Sequence, residues 1–274
     1  MLWPGWKAGD GGVTMESALH VKVDGPVAVV TLTRPEVHNA LNEALVVNLT
    51  QAFQKLGVAD GVRVIVLEAR GKSFCAGLDV GWVRESMESS REDNQRDAMM
   101  LAVLMDAIDR CPKPVVAVVG GAALGGGVGL VASCDIVLAS EEASFALTEV
   151  RLGLEPAIIG PQVIDAMGAR ACRRYWLSGE RFDAREAFRL GLVHAVLAPD
   201  KLDEARDRMV EACLKGAPKA QAGSKEAIRV IAQADRGPDL MRLIAHRFAE
   251  QRAGEEGAEG LNAFLEKRKP AWTI

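Results

Sequence analysis

Two short β-branched runs stand out near the amino end. Residues 27–32 are Val-Ala-Val-Val-Thr-Leu and stop at Thr33-Arg34-Pro35, and residues 62–67 repeat the apolar run before Gly71. Runs of this length bounded by breakers predict buried strands. Between them Leu45, Leu49, Ala52, Phe53 and Leu56 fall at helical spacing within residues 42–56, where Asn39 or Asn42 can cap the start. A third strand is predicted at 115–119, a helix from about Gly126 and a fourth strand at 135–139. Strand–helix–strand alternation favours parallel pairing through crossover helices, so the fold class is α/β.

Beyond Ala184 the pattern changes. Residues 184–190, 201–214, 221–232 and 240–251 carry charged residues on one helical face, punctuated by Gly216-Ala217-Pro218 and Arg236-Gly237-Pro238. The chain therefore divides into a core at 15–195 and a helical region at 196–274. Residues 1–14 lack the continuous apolar stretch of a secretory signal and are expected to be a loose extension. Residues 115–134 are uncharged for about the length of a membrane span, but six glycines there and Pro112 and Pro114 just before it break such a helix. No membrane partner is expected.

Composition adds exclusions. Acidic residues outnumber basic ones 37 to 33, which offers no chain-wide attraction for nucleic acid. The five cysteines are widely spaced, with no pair or Cys/His cluster at zinc spacing, so they read as reduced thiols in the cytoplasm.

Three strand-end segments carry candidate chemistry. Gly125-Gly126-Gly127 follows a buried strand and opens a helix, where outward N–H groups with partial positive charge suit a developing oxyanion. The same glycines would also serve tight helix–sheet packing, and no Gly-Lys-Ser/Thr follows to make a phosphate loop. A second loop, Gly71-Lys72-Ser73-Phe74-Cys75-Ala76-Gly77-Leu78-Asp79-Val80, could supply another donor, giving the paired arrangement suited to carbonyl charge. Asp79 reads as the N-cap of a following helix. Glu149, in Phe145-Ala146-Leu147-Thr148-Glu149-Val150, has apolar neighbours that favour a raised pKa and proton transfer, although a solvated loop glutamate fits the same pattern.

Taken together, Arg34-Pro35…Asn39-Ala40-Leu41, Phe74-Cys75-Ala76-Gly77-Leu78-Asp79, Ala123-Leu124-Gly125-Gly126-Gly127, Cys134-Asp135-Ile136, Phe145…Glu149 and Gly191-Leu192-Val193 resemble the crotonase (enoyl-CoA hydratase/isomerase) superfamily from about Val21 to the carboxyl end. The resemblance implies a spiral of ββα turns with a C-terminal helical trimerisation region, a homotrimer or a hexamer of two trimers, and acyl-CoA thioester substrates. It implies no metal and no separate cofactor, coenzyme A being part of the substrate. The oxyanion donors would be the N–H groups of Leu78 and Gly126, with Glu149 moving protons. Ala76, Gly77, Val80 and Gly125 would line the coenzyme A path, and Phe264 and Lys267 would approach its phosphates, often from a neighbouring subunit. A solvated helix end explains Phe264 and Lys267 equally well.

The sequence departs from the family at one place. Where hydratases of the commonest type carry a first glutamate, this chain has Gly129, and only the second, Glu149, is present. Hydration of a 2-enoyl-CoA by Glu149 alone is the leading expectation, a double-bond isomerase the second, and an inactive CoA-ester-binding or scaffold protein the third. Local similarity at 125–130, 147–154 and 171–175 is to bacterial methylglutaconyl-CoA and isohexenylglutaconyl-CoA hydratases of branched-chain catabolism. Their carboxylated substrates would call for a basic partner, for which Arg151 and Arg84 are candidates, while Arg173 and Arg174 read as surface charges.

Overall fold

The computed structural model describes residues 13–15 and 18–273. The first strand, β1 (Val13–Met15), pairs antiparallel with β2 (Leu19–Asp24), which pairs antiparallel with β3 (Val27–Leu32). Part of the segment expected to be a loose extension is thus sheet, and residues 1–12 lie outside the described residues. After α1 (Glu43–Val58) the chain makes three turns of one plan. In the first, β4 (Val64–Ala69) leads to β5 (Ser73–Cys75), then α2 (Val80–Glu88) and α3 (Arg91–Asp109). In the second, β6 (Val115–Val119) leads to β7 (Ala122–Leu124) and α4 (Gly126–Ala132). In the third, β8 (Ile136–Ser140) leads to β9 (Ser144–Ala146) and α5 (Gly160–Ser178).

Each turn contributes one strand to each of two sheets. The larger sheet has the order β1-β2-β3-β4-β6-β8-β11, where β11 is Ala195–Leu197, and is parallel from β3 onward. The smaller is β10-β9-β7-β5, with β10 (Phe182–Asp183) antiparallel to β9 and the other three parallel. This is the expected α/β spiral. Because β11 belongs to the large sheet, the division placed after residue 195 falls inside a strand.

Both faces of the large sheet are covered, which is why its strands read as continuous apolar runs rather than alternating ones. Ile65 and Leu67 face the main core, whereas Val64 and Val66 pack on the other side with Val116, Val118 and with Leu202, Ala205 and Val210 of a later helix. The predicted helix at 184–190 is α6 (Ala184–Leu190), and those at 201–214, 221–232 and 240–251 are α7 (Leu202–Leu214), α8 (Pro218–Gln233) and α9 (Pro238–Ala253). A further helix, α10 (Glu255–Leu265), follows. The strand expected at 62–67 starts two residues later. Val62 is buried, but its N–H bonds Ala59 in a turn, so its burial rather than strand pairing produced the signal. Asn42 caps α1, accepting from the Leu45 N–H at 3.0 Å.

The C-terminal helices attach at the amino ends of the parallel strands. Asp135, just before β8, accepts from the Val115 N–H and from Lys225 Nζ of α8, each at 2.7 Å. Arg63, just before β4, donates to the carbonyls of Gly216 and Trp272. Among the described residues no helix is long and apolar enough to cross a membrane.

Burial drives the Asp135 carboxyl upward and Lys225 opposes it, so the pair stands on mutual attraction in a poorly solvated place. Asp135→Ala, which strands both Lys225 and the Val115 N–H, is expected to cost about 3 kcal/mol in chemical denaturation. Asp135→Asn, which keeps an acceptor for Val115, should cost distinctly less.

Candidate active site

The carboxyl ends of β5, β7 and β9 lie side by side in the small sheet and run directly into Ala76-Gly77-Leu78, Gly125-Gly126-Gly127 and Leu147-Thr148-Glu149. Parallel strands deliver their following loops to one edge, so segments far apart in sequence, at 76–78, 125–127 and 147–149, converge by topology alone. The contacts are close. Gly125 N donates to Ala146 O at 2.8 Å, tying the second loop to the third, and a Cβ added at Gly77 would lie 3.0 Å from Leu124 O and 3.7 Å from Gly126 N, tying the first to the second.

Gly125 has φ +49°, a region that side chains disfavour, and an added Cβ would stand 2.9 Å from Glu149 Oε1. The glycine thus lets the carboxyl reach the backbone. Glu149 is half-buried, and its Oε2 is fully enclosed with no hydrogen-bond partner among the described residues. Burial raises its pKa, only partly offset by its own backbone N–H. An enclosed carboxyl oxygen without a protein partner is costly, and such groups concentrate where protons are moved.

The N–H groups of Leu78 and Gly126 have no hydrogen-bond acceptor among the described residues, whereas the adjoining Asp79 N–H and Gly125 N–H are both engaged. Leu41 N donates to Gly77 O at 2.7 Å and Asp79 N to Leu41 O at 2.8 Å, so Leu78 is held between two bonds with its own N–H free. Gly126 opens α4, where first-turn N–H groups have no partner within the helix.

The motif Arg34…Leu41 brackets the first loop, a role that its residue types did not reveal. Asn39 is buried at φ +54°; its Oδ1 accepts from Arg34 N and its Nδ2 donates to the carbonyls of Arg70 and Ser73. It is therefore not the cap of α1. Asp79 is an N-cap as expected, accepting from the Gly81 N–H at 2.8 Å, and it also pairs with Arg34 at 2.9 Å. Burial pushes its carboxyl up, but the Gly81 N–H and Arg34 together bring it below the ordinary range.

The other expected site residues divide between the first loop and the rest of the chain. Ala76 is half-buried, and Val80 is exposed at the start of α2 beside the Leu78 loop. Phe264 is exposed near the end of α10 and Lys267 follows the helix's C-cap, and the segment beyond is tied through Trp272 to Lys215 O and to Arg63 at the amino ends of the strands. Arg151 is exposed against Gly179, and Arg84 is exposed on α2. Arg174 pairs on the surface with Glu180, and Arg173 is exposed, both as expected. Among the described residues no three His, Cys, Asp or Glu side chains cluster as metal ligands.

Gly129 is closed off. A Cβ there would fall 2.2 Å from Ile159 Cγ2 and 3.2 Å from the Met105 methyl, so the room a side chain would need belongs to these two apolar residues. Nothing in the local sequence around Gly129 signals this, because Met105 and Ile159 lie on other elements.

A two-sheet ββα spiral that sets unpaired strand-end N–H groups beside an enclosed carboxyl is an arrangement able to polarise a carbonyl and move a proton. The chain belongs to the enoyl-CoA hydratase/isomerase family, whose pattern matches residues 22–274. It is similar to the crystal structure of an enoyl-CoA hydratase from Shewanella pealeana, with 40% identity, a TM-score of 0.90 and coverage of 93% of this chain and 95% of that one. An enoyl-CoA hydratase structure from Mycobacterium smegmatis aligns at 35% identity and TM-score 0.89 over 94% and 100% of the two chains. The short-chain-enoyl-CoA hydratase of Clostridium acetobutylicum is 32% identical over 90% of this chain and 94% of its own.

Gly129→Ala would normally stabilise a helix by up to about 1 kcal/mol. Here overpacking against Ile159 should outweigh that gain, lowering stability by about 1–2 kcal/mol in denaturant titration. In the Ile159→Ala background the same change should be markedly less harmful, a coupling that a double-mutant cycle will read.

Proposed function

We propose that this protein hydrates a 2-enoyl-CoA thioester with one carboxylate. The observation that carries the reading is the enclosed Glu149 carboxyl against Gly125, one residue from the free Gly126 N–H and across the loop contact from that of Leu78. The thioester oxygen sits between these two N–H groups. Negative charge that gathers on it as water attacks is then met by dipoles already in place, an arrangement for which losing one donor costs about 10²–10³ in kcat. Glu149 takes a proton from water as the oxygen bonds to the β-carbon, and returns a proton to the α-carbon as the enolate collapses. One water is consumed, and the carboxylate is regenerated.

The closure at Gly129 favours a second reading, in which the same lone base takes a proton from one carbon of a 3-enoyl-CoA and returns it to another, as an isomerase. Oxyanion binding is common to both. In this reading Ala76, Gly77, Val80 and Gly125 line the thioester's approach. Helices α8 and α9 bury none of their residues and expose Ile228, Ile231, Met241, Ile244 and Phe248, which supports association into a trimer or hexamer. In such an assembly Phe264 and Lys267 would serve a neighbouring subunit's coenzyme A. The local likeness to methylglutaconyl-CoA-type hydratases supports including carboxylated branched substrates, although Arg151, turned to Gly179, gives that reading no acyl-group partner.

The test is product mass across short, long and carboxylated 2- and 3-enoyl-CoA esters. Gain of one water supports hydration, an unchanged mass with a moved double bond supports isomerisation, and no conversion of any ester overturns both. Glu149→Gln should lower kcat by about 10²–10⁴ while leaving ester binding nearly intact. Since the reacting form is the base and burial raises its pKa, the rate should fall as pH drops through a midpoint above the ordinary glutamate range. Glu149→Gln should erase that acid limb.

A further inference from the structure

We infer that Arg34 and Asp79 are positioning residues that aim the Leu78 N–H at the thioester oxygen. The inference rests on the proposed oxyanion role of that group. Leu78 is the only link between Gly77 and Asp79, and both of those are tied through the backbone to Leu41: Leu41 N donates to Gly77 O at 2.7 Å and Asp79 N donates to Leu41 O at 2.8 Å. Whatever fixes Leu41 relative to Asp79 therefore fixes the plane of the Leu78 peptide.

Arg34 does this with two arms of one rigid group. Its Nη1 donates to Ala40 O at 2.6 Å, on the residue next to Leu41, and its Nη2 meets Asp79 Oδ2 at 2.9 Å, on the residue next to Leu78. Both side chains are mostly enclosed, at 17% and 16% exposure, so solvent screens the pair little. The guanidinium itself is seated by the backbone around it, since Arg34 N donates to the buried Asn39, which also grips Arg70 O and Ser73 O on either side of β5's start. A planar fork sets the Ala40–Asp79 separation in a way that a single ammonium cannot. Opposite, Gly77 abuts Leu124 O and Gly126 N, so the first donor is braced between the Arg34 fork and the loop that carries the second.

Asp79 has a second duty that separates local folding from aim. Its Oδ1 caps α2 through the Gly81 N–H while its Oδ2 binds Arg34. Asn caps as well as Asp. Asp79→Asn therefore keeps α2 begun and removes the charge pair, and Arg34→Lys keeps the charge and removes the fork.

The experiment uses the full-length protein with acetyl-CoA labelled with ¹³C at the thioester carbonyl, the smallest acyl group, and infrared difference spectra of the bound carbonyl. In the parent the carbonyl band should move to lower frequency on binding. In Asp79→Asn and Arg34→Lys the displacement should shrink with the Kd changed less than about threefold, and kcat on the best ester from the product-mass panel should fall about 10- to 100-fold with KM nearly constant, the scale for a misaimed group. Arg208→Ala, which breaks an exposed pair with Glu204 within α7, should leave band and kcat at parent values. If the parent binds no acetyl-CoA or shows no displaced band, the oxyanion reading itself fails. A displaced parent band that persists in both folded variants, with kcat within about twofold, overturns the positioning role alone. Variants that lose kcat together with thermal stability, with the bound carbonyl band unchanged, would likewise overturn it in favour of a purely structural pair.

Discussion

Backbone must pass backbone with no side chain between them where the second and first strand-end loops meet. A Cβ at Gly127 would lie 2.3 Å from Cys75 O, closer than any real contact of that kind. That approach holds α4 against the end of β5, brings Gly126 beside Gly77, and leaves Gly125 free to adopt the positive φ that admits Glu149. The donors, the carboxyl and the brace through Leu41 all depend on this glycine-permitted contact.

The rest of the fold keeps the contact rigid. Three parallel strands of three residues each could not stand alone, and the small sheet survives because Phe74, Cys75, Ala123 and Phe145 are sealed into the main core. The large sheet supplies the frame, its outer face closed by α7. The C-terminal helices are secured at the opposite end, through Asp135–Lys225 and Arg63, so their attachment does not crowd the loops. Free N–H groups and an enclosed carboxyl are unfavourable features, and a tightly packed scaffold is what allows them to persist.

Chemical character at the site follows from what each neighbour excludes. Glu149 is raised by enclosure, whereas Asp79, only a short distance along the same strand edge, is held low by an arginine and a helix start. The two carboxyls thus sit in opposite environments, one enclosed and raised, the other held charged between an arginine and a helix start. At Gly129, Ile159 and Met105 fill the space that a further side chain would take, so the solitary state of Glu149 is built into the packing and not merely into one codon.

Much was legible in the chain alone. Apolar runs placed β3 and β6 to the residue and located α1, α6 and α7, because burial on both sheet faces and helical spacing leave strong one-dimensional patterns. The glycine triplet, the Ala76–Asp79 loop and Glu149 could be picked out, since a close backbone approach and a carboxyl among apolar residues are properties of residue type. Three-residue strands such as β5, β7 and β9 leave no such pattern, and the boundary drawn after residue 195 missed β11 for the same reason. Convergence of the three loops, the Arg34–Asp79 fork and the occupation of the Gly129 site by Ile159 were decided only by tertiary structure. Each depends on which strands pair and which residues from separate elements meet, and local residue spacing does not encode those relations.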